Sequence, residues 1–374
     1  MSGIYIHIPF CKVKCSYCNF YKTTDNSRID DLVKAIKLEF WLRKDYLHDQ
    51  QIQTIYFGGG TPSLLNAVQL HDIIRSCNTV LQVKPDAEIT IEANPDDLNL
   101  TYLETVKAIG VNRLSIGIQS FSQADLKLMK RRHNPIQAIN AVKLARQAGF
   151  KNISVDLIYG VPGMSFSQWK ENLDQVFGMQ VEHVSAYHLT YHKGTQLWND
   201  LQKGVIQEID EAESVKQYQE LISVANKFGF IHYEISNFAR EGYFSRHNSS
   251  YWNQTEYLGL GPSAHSFDKN SRQWNVASLN YYLLSLKNGK IPFKREKLSN
   301  KDRFNDYIIT TLRTIWGANL KKIESDFGKK YSDHVTSVSK KYLDSGQVIK
   351  NGESIYLVKD GWFVSDSIMT DFML

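Results

Sequence analysis

A chain of 374 residues with 42% hydrophobic and 22% charged side chains carries enough apolar material for a large core and two or three structural units. Its formal net charge of +5 is scattered along the chain rather than massed, so no nucleic-acid partner is expected and a solvated surface is the default. No apolar run reaches the roughly 18 residues that cross a bilayer, and the first ten residues lack the basic and apolar regions of a secretion signal. A reducing, cytoplasmic setting is expected, with membrane contact, if any, peripheral at the inner face.

The first half repeats one unit, a short β-branched or aromatic run followed by a helix-periodic stretch, as in successive βα crossovers. Six such runs fall at residues 4–8, 54–57, 88–93, 113–118, 153–158 and 183–188, with helical patterns at 29–44, 67–81 and 166–177 among those that follow. Right-handed crossovers curl parallel strands toward a barrel, and six units leave it open. The expected fold is therefore α/β, an open partial (β/α)6 TIM-like barrel over residues 1–205 that binds ligands at the C-terminal ends of its strands.

Beyond residue 190 the pattern changes to a helix near 210–228, an aromatic-rich stretch at 233–252 and the turn Gly259-Leu260-Gly261-Pro262. Residues 206–299 read as an accessory α+β layer. From 300 to 374 the expected order is helices at 302–315, 320–327 and 332–343, then strands at 348–350 and 355–358 around Asn351-Gly352. That is a winged-helix-like module. Its lysines are interspersed with acids, which favours packing or protein contact over DNA binding.

Three of the four cysteines, Cys11, Cys15 and Cys18, follow the first strand within eight residues. One loop can then present three thiolates to an iron–sulfur cluster and leave one iron without a protein ligand. The alternative is a structural zinc completed by His7 or Cys77; Cys77 on a helical pattern otherwise reads as a packed thiol. Gly58-Gly59-Gly60-Thr61-Pro62 follows the second strand, where glycines permit a tight turn or close approach of backbone to a polar ligand. Glu92, Gln119 and Asp156 stand in or just after apolar strands, where burial demands a partner.

Together these pieces carry a resemblance. Tyr5-Ile6-His7-Ile8-Pro9-Phe10-Cys11 with its Cys-x3-Cys-x2-Cys run, Gly58–Pro62, Ile91-Glu92-Ala93-Asn94-Pro95, Gly117-Ile118-Gln119-Ser120-Phe121 and Asp156-Leu157-Ile158-Tyr159-Gly160-Val161-Pro162 resemble the radical S-adenosylmethionine (SAM) superfamily. Within it they resemble the branch of oxygen-independent coproporphyrinogen oxidase. The resemblance implies a [4Fe–4S] cluster on Cys11, Cys15 and Cys18. It also implies S-adenosylmethionine held by Tyr5, Tyr17, Gly59, Gly60, Thr61, Glu92, Gln119, Arg131 and Asp156.

Two departures point away from the oxidase: Phe20 stands where the oxidising members carry a further cysteine, and Thr190 occupies the position they use near the sixth strand. The run His247-Asn248-Ser249-Ser250-Tyr251-Trp252 is similar to the His-Asn-x-x-Tyr-Trp motif of the haem-chaperone relatives called HemW. That likeness implies haem as a bound partner, contacted by His247, Asn248, Tyr251 and Trp252, and haem-receiving respiratory-chain proteins as recipients. An imidazole is a common haem ligand and Arg246 could meet a propionate, with His188, His192 and His265 as alternatives to His247 at the iron. Coproporphyrinogen III dehydrogenation and a cluster-based winged-helix redox regulator are the competing functions. A homodimer is compatible with the sequence.

Overall fold

The computed structural model describes residues 2–374. Six parallel strands form its centre: β1 (Ser2–Ile8), β2 (Gln51–Gly59), β3 (Gln82–Ala93), β4 (Arg113–Gln119), β5 (Ile153–Tyr159) and β6 (His183–His188). They lie side by side in chain order, each paired in parallel with the next.

Several crossover helices start where the sequence dictates. Asn66 with Gln69, Asn134 with Gln137 and Ser165 with Gln168 form reciprocal capping boxes, so the helices Ala67–Val80, Pro135–Gln147 and Phe166–Gly178 begin at fixed points after their strands.

Strand alternation explains the layers. Ile4, Ile6 and Ile8 of β1, Ile55 and Phe57 of β2, and Leu114 and Ile116 of β4 are buried in the main apolar core shared with the helices. The opposite phase carries Tyr5, His7, Thr54, Tyr56, Glu88, Glu92, Arg113, Ser115, Asp156 and Ser185. Side chains alternate between the faces of a strand, so the curled sheet has an apolar outside under its helices and a polar concave inside.

The accessory segment does not stack as a separate layer. Its strands β7 (Ile231–Glu234) and β8 (Asn237–Ala239) extend the sheet beyond β6, while β9 (Tyr257–Leu260), β10 (His265–Phe267), β11 (Ser271–Asn275) and β12 (Phe293–Lys297) extend it beyond β1. One twelve-stranded sheet results, in which β1 is interior, bonded to both β2 and β9. The barrel remains open because each end strand of the parallel set meets an accessory strand instead of its counterpart.

A second core gathers Phe304, Ile308, Ile323, Val335, Ile355 and Phe372. It joins the helices Asn300–Leu312, Leu320–Phe327 and Lys329–Asp344 to a small sheet of β13 (Ala318–Asn319), β14 (Val348–Asn351) and β15 (Ser354–Leu357). The first of these helices stops at Leu312 rather than 315. Residues 313–315 are drawn out by backbone bonds of Ile235 N–H to the Arg313 carbonyl at 3.2 Å and of Ile315 N–H to the Tyr233 carbonyl at 3.1 Å. Two further helices, Lys359–Phe363 and Ser365–Phe372, end the chain.

Candidate functional site

The cysteine loop leaves the C-terminal end of β1 and is pinned at several points. Cys11 and Thr23 share a short ladder, with Cys11 N–H to the Thr23 carbonyl at 2.9 Å and Thr23 N–H to the Pro9 carbonyl at 2.7 Å. Further along, Ser16 reaches across to the segment after β4, its hydroxyl donating to the Leu128 carbonyl at 2.7 Å. Cys11 is buried, Cys15 and Cys18 are half-buried, and all three line one cavity of about 460 Å³. Thr61 Oγ1 donates to Cys11 Sγ and Arg131 Nη1 donates to Cys15 Sγ, both at 3.4 Å. Burial pushes the Cys11 thiol up from its ordinary value, and the Thr61 hydroxyl opposes that shift. The Thr61 donor thus favours the Cys11 thiolate, the form that binds metal.

Neither ligand proposed for a zinc site is positioned to complete one. Cys77 is buried in the apolar core on the helix Ala67–Val80. The two ring nitrogens of His7 are taken by the Tyr5 hydroxyl at 3.2 Å and the Tyr21 carbonyl at 3.0 Å.

On the other side of the cavity the glycine turn makes a tight cradle. A Cβ on Gly60 would lie 2.7 Å from the carbonyl oxygen of Phe10, and one on Gly59, at φ +109°, would lie 2.5 Å from the His7 ring. Only glycine fits both positions. Gly59 N–H donates to Glu92 Oε2 at 3.1 Å, and the Tyr56 hydroxyl donates to Glu92 Oε1 at 2.8 Å. Burial, reinforced by nearby Asp156, raises the Glu92 carboxyl to about 7 despite those donors. Asp156 is raised to about 6, again mainly by burial, and accepts from Ser115 Oγ at 3.2 Å. Gln119 ends β4 with φ +70°, at a register shift between β4 and β5. Its side chain faces the same cavity.

Tyr17, Gly59, Gly60, Thr61, Glu92, Gln119, Arg131 and Asp156 all line this cavity with the three cysteines. Tyr5 does not. It lies one strand position behind, stacked on Tyr56 with ring centroids 6.2 Å apart, and opens toward a second cavity. Tyr56, Asn94 and Ser115 were missed by sequence reasoning. Tyr56 and Ser115 occupy the inward phase of their strands, a signal that alternation alone could have supplied.

The His-Asn-x-x-Tyr-Trp run is divided by its helix, Arg246–Trp252. Asn248 lines the first cavity, Tyr251 and Trp252 line the second, and His247 lines neither. His247 is 1% exposed. Its Nδ1 meets Thr54 Oγ1 and its Nε2 meets the Tyr251 hydroxyl, both at 2.8 Å, and its ring stacks on Tyr56 at 4.9 Å. Gly3 makes room for the Thr54 hydroxyl that bonds it, since a Cβ there would sit 2.8 Å from Thr54 Oγ1. The Glu88 carboxylate holds the helix start through the amides of Arg246 and His247 at 3.1 and 3.0 Å. His247, expected to meet haem iron, thus has both ring nitrogens hydrogen-bonded to hydroxyls inside the fold. Arg246, expected at a propionate, donates from Nη1 to the Asp86 carbonyl at 2.7 Å.

Comparison with known proteins agrees with this geometry. Residues 5–176 match the Radical SAM superfamily. The "Heme chaperone HemW" of Bacillus subtilis is 30% identical over 376 residues, spanning 100% of this chain and 99% of the relative. The chain belongs to the radical SAM superfamily, in its HemW family. A mouse mitochondrial relative, "Radical S-adenosyl methionine domain-containing protein 1", is 36% identical over 71% of this chain and 60% of its own. The coproporphyrinogen III oxidase HemN of Escherichia coli superposes with a TM-score of 0.86, covering 100% of this chain and 90% of that one, at 22% identity. That likeness is one of fold.

Membership of the radical SAM superfamily implies a [4Fe–4S] cluster and S-adenosylmethionine, and the residues present fit both. Three thiols on one loop face a shared cavity. The Arg131 Nε is buried with no partner among the described residues, and two carboxyls raised by burial, Glu92 and Asp156, line the same cavity. Among the described residues no helix is long and apolar enough to cross a membrane.

Proposed function

We propose that the chain is a haem chaperone that carries a [4Fe–4S] cluster and S-adenosylmethionine in the first cavity and passes haem to respiratory-chain proteins from the cytoplasmic side. Cys11, Cys15 and Cys18 hold the cluster, with Thr61 and Arg131 donating to its sulfur ligands. When bound, the cluster supplies single-electron reduction and one open iron for the amino-acid end of S-adenosylmethionine. Gly59, Gly60 and Thr61 lie against that end and Arg131 orients its carboxylate. Glu92 and Asp156 accept ribose hydroxyls or face the sulfonium, while Tyr17 and Gln119 close the walls against water.

The observation that carries this reading over coproporphyrinogen dehydrogenation is Phe20. It is 64% exposed on the cysteine loop and borders both cavities, placing a flat apolar ring where the oxidase branch has a thiol. The full-length kinship to relatives named "Heme chaperone HemW" supports the same choice.

Anaerobically reconstituted protein tests the reading. It should bind about four iron and four sulfide per chain and take up haem saturably. With reductant, S-adenosylmethionine and coproporphyrinogen III it should release no carbon dioxide. Decarboxylation, or zinc without labile sulfide, would overturn it.

A further inference from the structure

The second cavity, about 590 Å³, opens on the β1–β9–β10 side of the sheet, next to the cysteine loop. Its volume is within the roughly 300–1,000 Å³ of small-molecule sites. Tyr21, Tyr257, Phe267 and Trp252 line it with flat faces, suited to a planar apolar ligand. Two histidines also line it, His7 and His265. The hydrogen bonds already described occupy both nitrogens of His7. His265 is exposed, has no ring hydrogen bond among the described residues, and stacks on Trp274 with ring centroids 6.1 Å apart.

The backbone fixes where that imidazole stands. Gly259 of β9 lies beneath the first residue of β10, and a Cβ on it would come within 1.9 Å of the His265 carbonyl oxygen. Absence of a side chain there lets β10 cross close over β9 and holds His265 at the cavity wall. With neither ring nitrogen hydrogen-bonded among the described residues, a neutral imidazole there keeps its lone pair for a ligand.

Arg272 completes the set. Its amino groups reach Asp306 and Glu296, each at 3.4 Å, while its Nε is buried without a partner among the described residues. A planar guanidinium with a spare donor suits a carboxylate.

We infer that haem sits in this second cavity with His265 as its axial iron ligand and Arg272 meeting a propionate. This rests on the haem-carrier reading and replaces the histidine of the His-Asn-x-x-Tyr-Trp motif at the metal. In this arrangement the motif frames the cavity through Tyr251 and Trp252, and His247 holds Tyr251 in place from behind.

Ferric haem titration of the full, cluster-loaded chain, read by Soret absorbance and electron paramagnetic resonance, tests the assignment. His265→Ala should lose the imidazole signature and weaken haem binding by at least the roughly tenfold that even outer-shell losses cost at metal sites. His265→Cys should convert the spectrum to a thiolate type, which a packing role could not produce. Metal-free protoporphyrin IX has no axial bond to lose and should bind wild type and His265→Ala alike. His265 is exposed, so these variants should melt as the wild type does.

A wild type that binds haem with an imidazole signature surviving His265→Ala would overturn the assignment and leave the carrier reading standing. A wild type that binds no haem would instead sink the carrier reading itself. Equal loss of protoporphyrin and haem would show that His265 shapes the wall and does not bind iron.

Discussion

Arg131 Nη1 donates to the Sγ of Cys15 at 3.4 Å across 116 positions of sequence. The other amino group of Arg131 is held by Asn94 and, at 2.6 Å, by the Gly117 carbonyl. One guanidinium therefore ties the cysteine loop to the ends of β3 and β4. Arg131→Met should weaken S-adenosylmethionine binding by about tenfold to a hundredfold, with four iron per chain still retained. Equilibrium dialysis of the reconstituted protein measures this, and an unchanged affinity removes Arg131 from the contact set.

Cys11→Ser, Cys15→Ser and Cys18→Ser should each abolish the cluster. Cys77→Ser should keep it, because Cys77 is packed in the core away from the cavity. The cost of Cys77→Ser is instead one of stability, about 1–3 kcal/mol for a hydroxyl placed in apolar surroundings. Iron and sulfide assays alongside urea melts separate the two effects; cluster loss with Cys77→Ser would mean that the ligand set is wrong.

His247→Ala should destabilise the fold by about 2–5 kcal/mol, since it opens a cavity against Tyr56 and leaves the Thr54 and Tyr251 hydroxyls without their partner. His247→Gln should recover part of the loss. A urea midpoint equal to that of wild type would contradict the structural role.

S-adenosylmethionine affinity should rise with pH. In the empty protein burial holds Glu92 at about 7 and Asp156 at about 6. A ligand that needs both carboxylates ionised must displace their protons at lower pH. Affinity should therefore climb from pH 5.5 to pH 7.5, by roughly tenfold for each proton released per pH unit. Calorimetry in buffers of different ionisation enthalpy would count those protons, and a flat profile would exclude both carboxyls from contact.

Acid should loosen the native state early. Burial lowers His7 and His232 to about 4 and His133 and His247 to about 3. Each pKa lies below the unfolded value of about 6.5, so the unfolded chain binds more protons between pH 6.5 and pH 3 and stability falls as pH drops through that range. Glu92, Asp156, Asp96, Asp125 and Asp306, raised by burial, act in the opposite sense, but His183, His188 and His265 are lowered as well, so seven histidines stand against five carboxyls. Urea midpoints at pH 7 and pH 5 should differ, with the lower at pH 5.

Much of the first cavity was legible because its determinants are local. Cys11, Cys15 and Cys18 share one loop, Gly59, Gly60 and Thr61 one turn, and parallel strands place the ends of all six units on one rim. Tyr5, expected with them, lines the second cavity. Its position in β1 puts it on the inward face, but the height at which an inward side chain sits between two cavities depends on register with β2 and β9.

By itself, then, the sequence determined the six central parallel strands, their inward and outward phases, the capped helix starts and the cysteine loop, all set by periodicity and short-range hydrogen bonding. Tertiary structure decided the fate of the histidines. The availability of a ring nitrogen depends on partners far along the chain: His247 meets Thr54 across 193 positions, whereas His265, beside Gly259, has no ring hydrogen bond among the described residues. A motif names residue types, but only packing leaves a lone pair free.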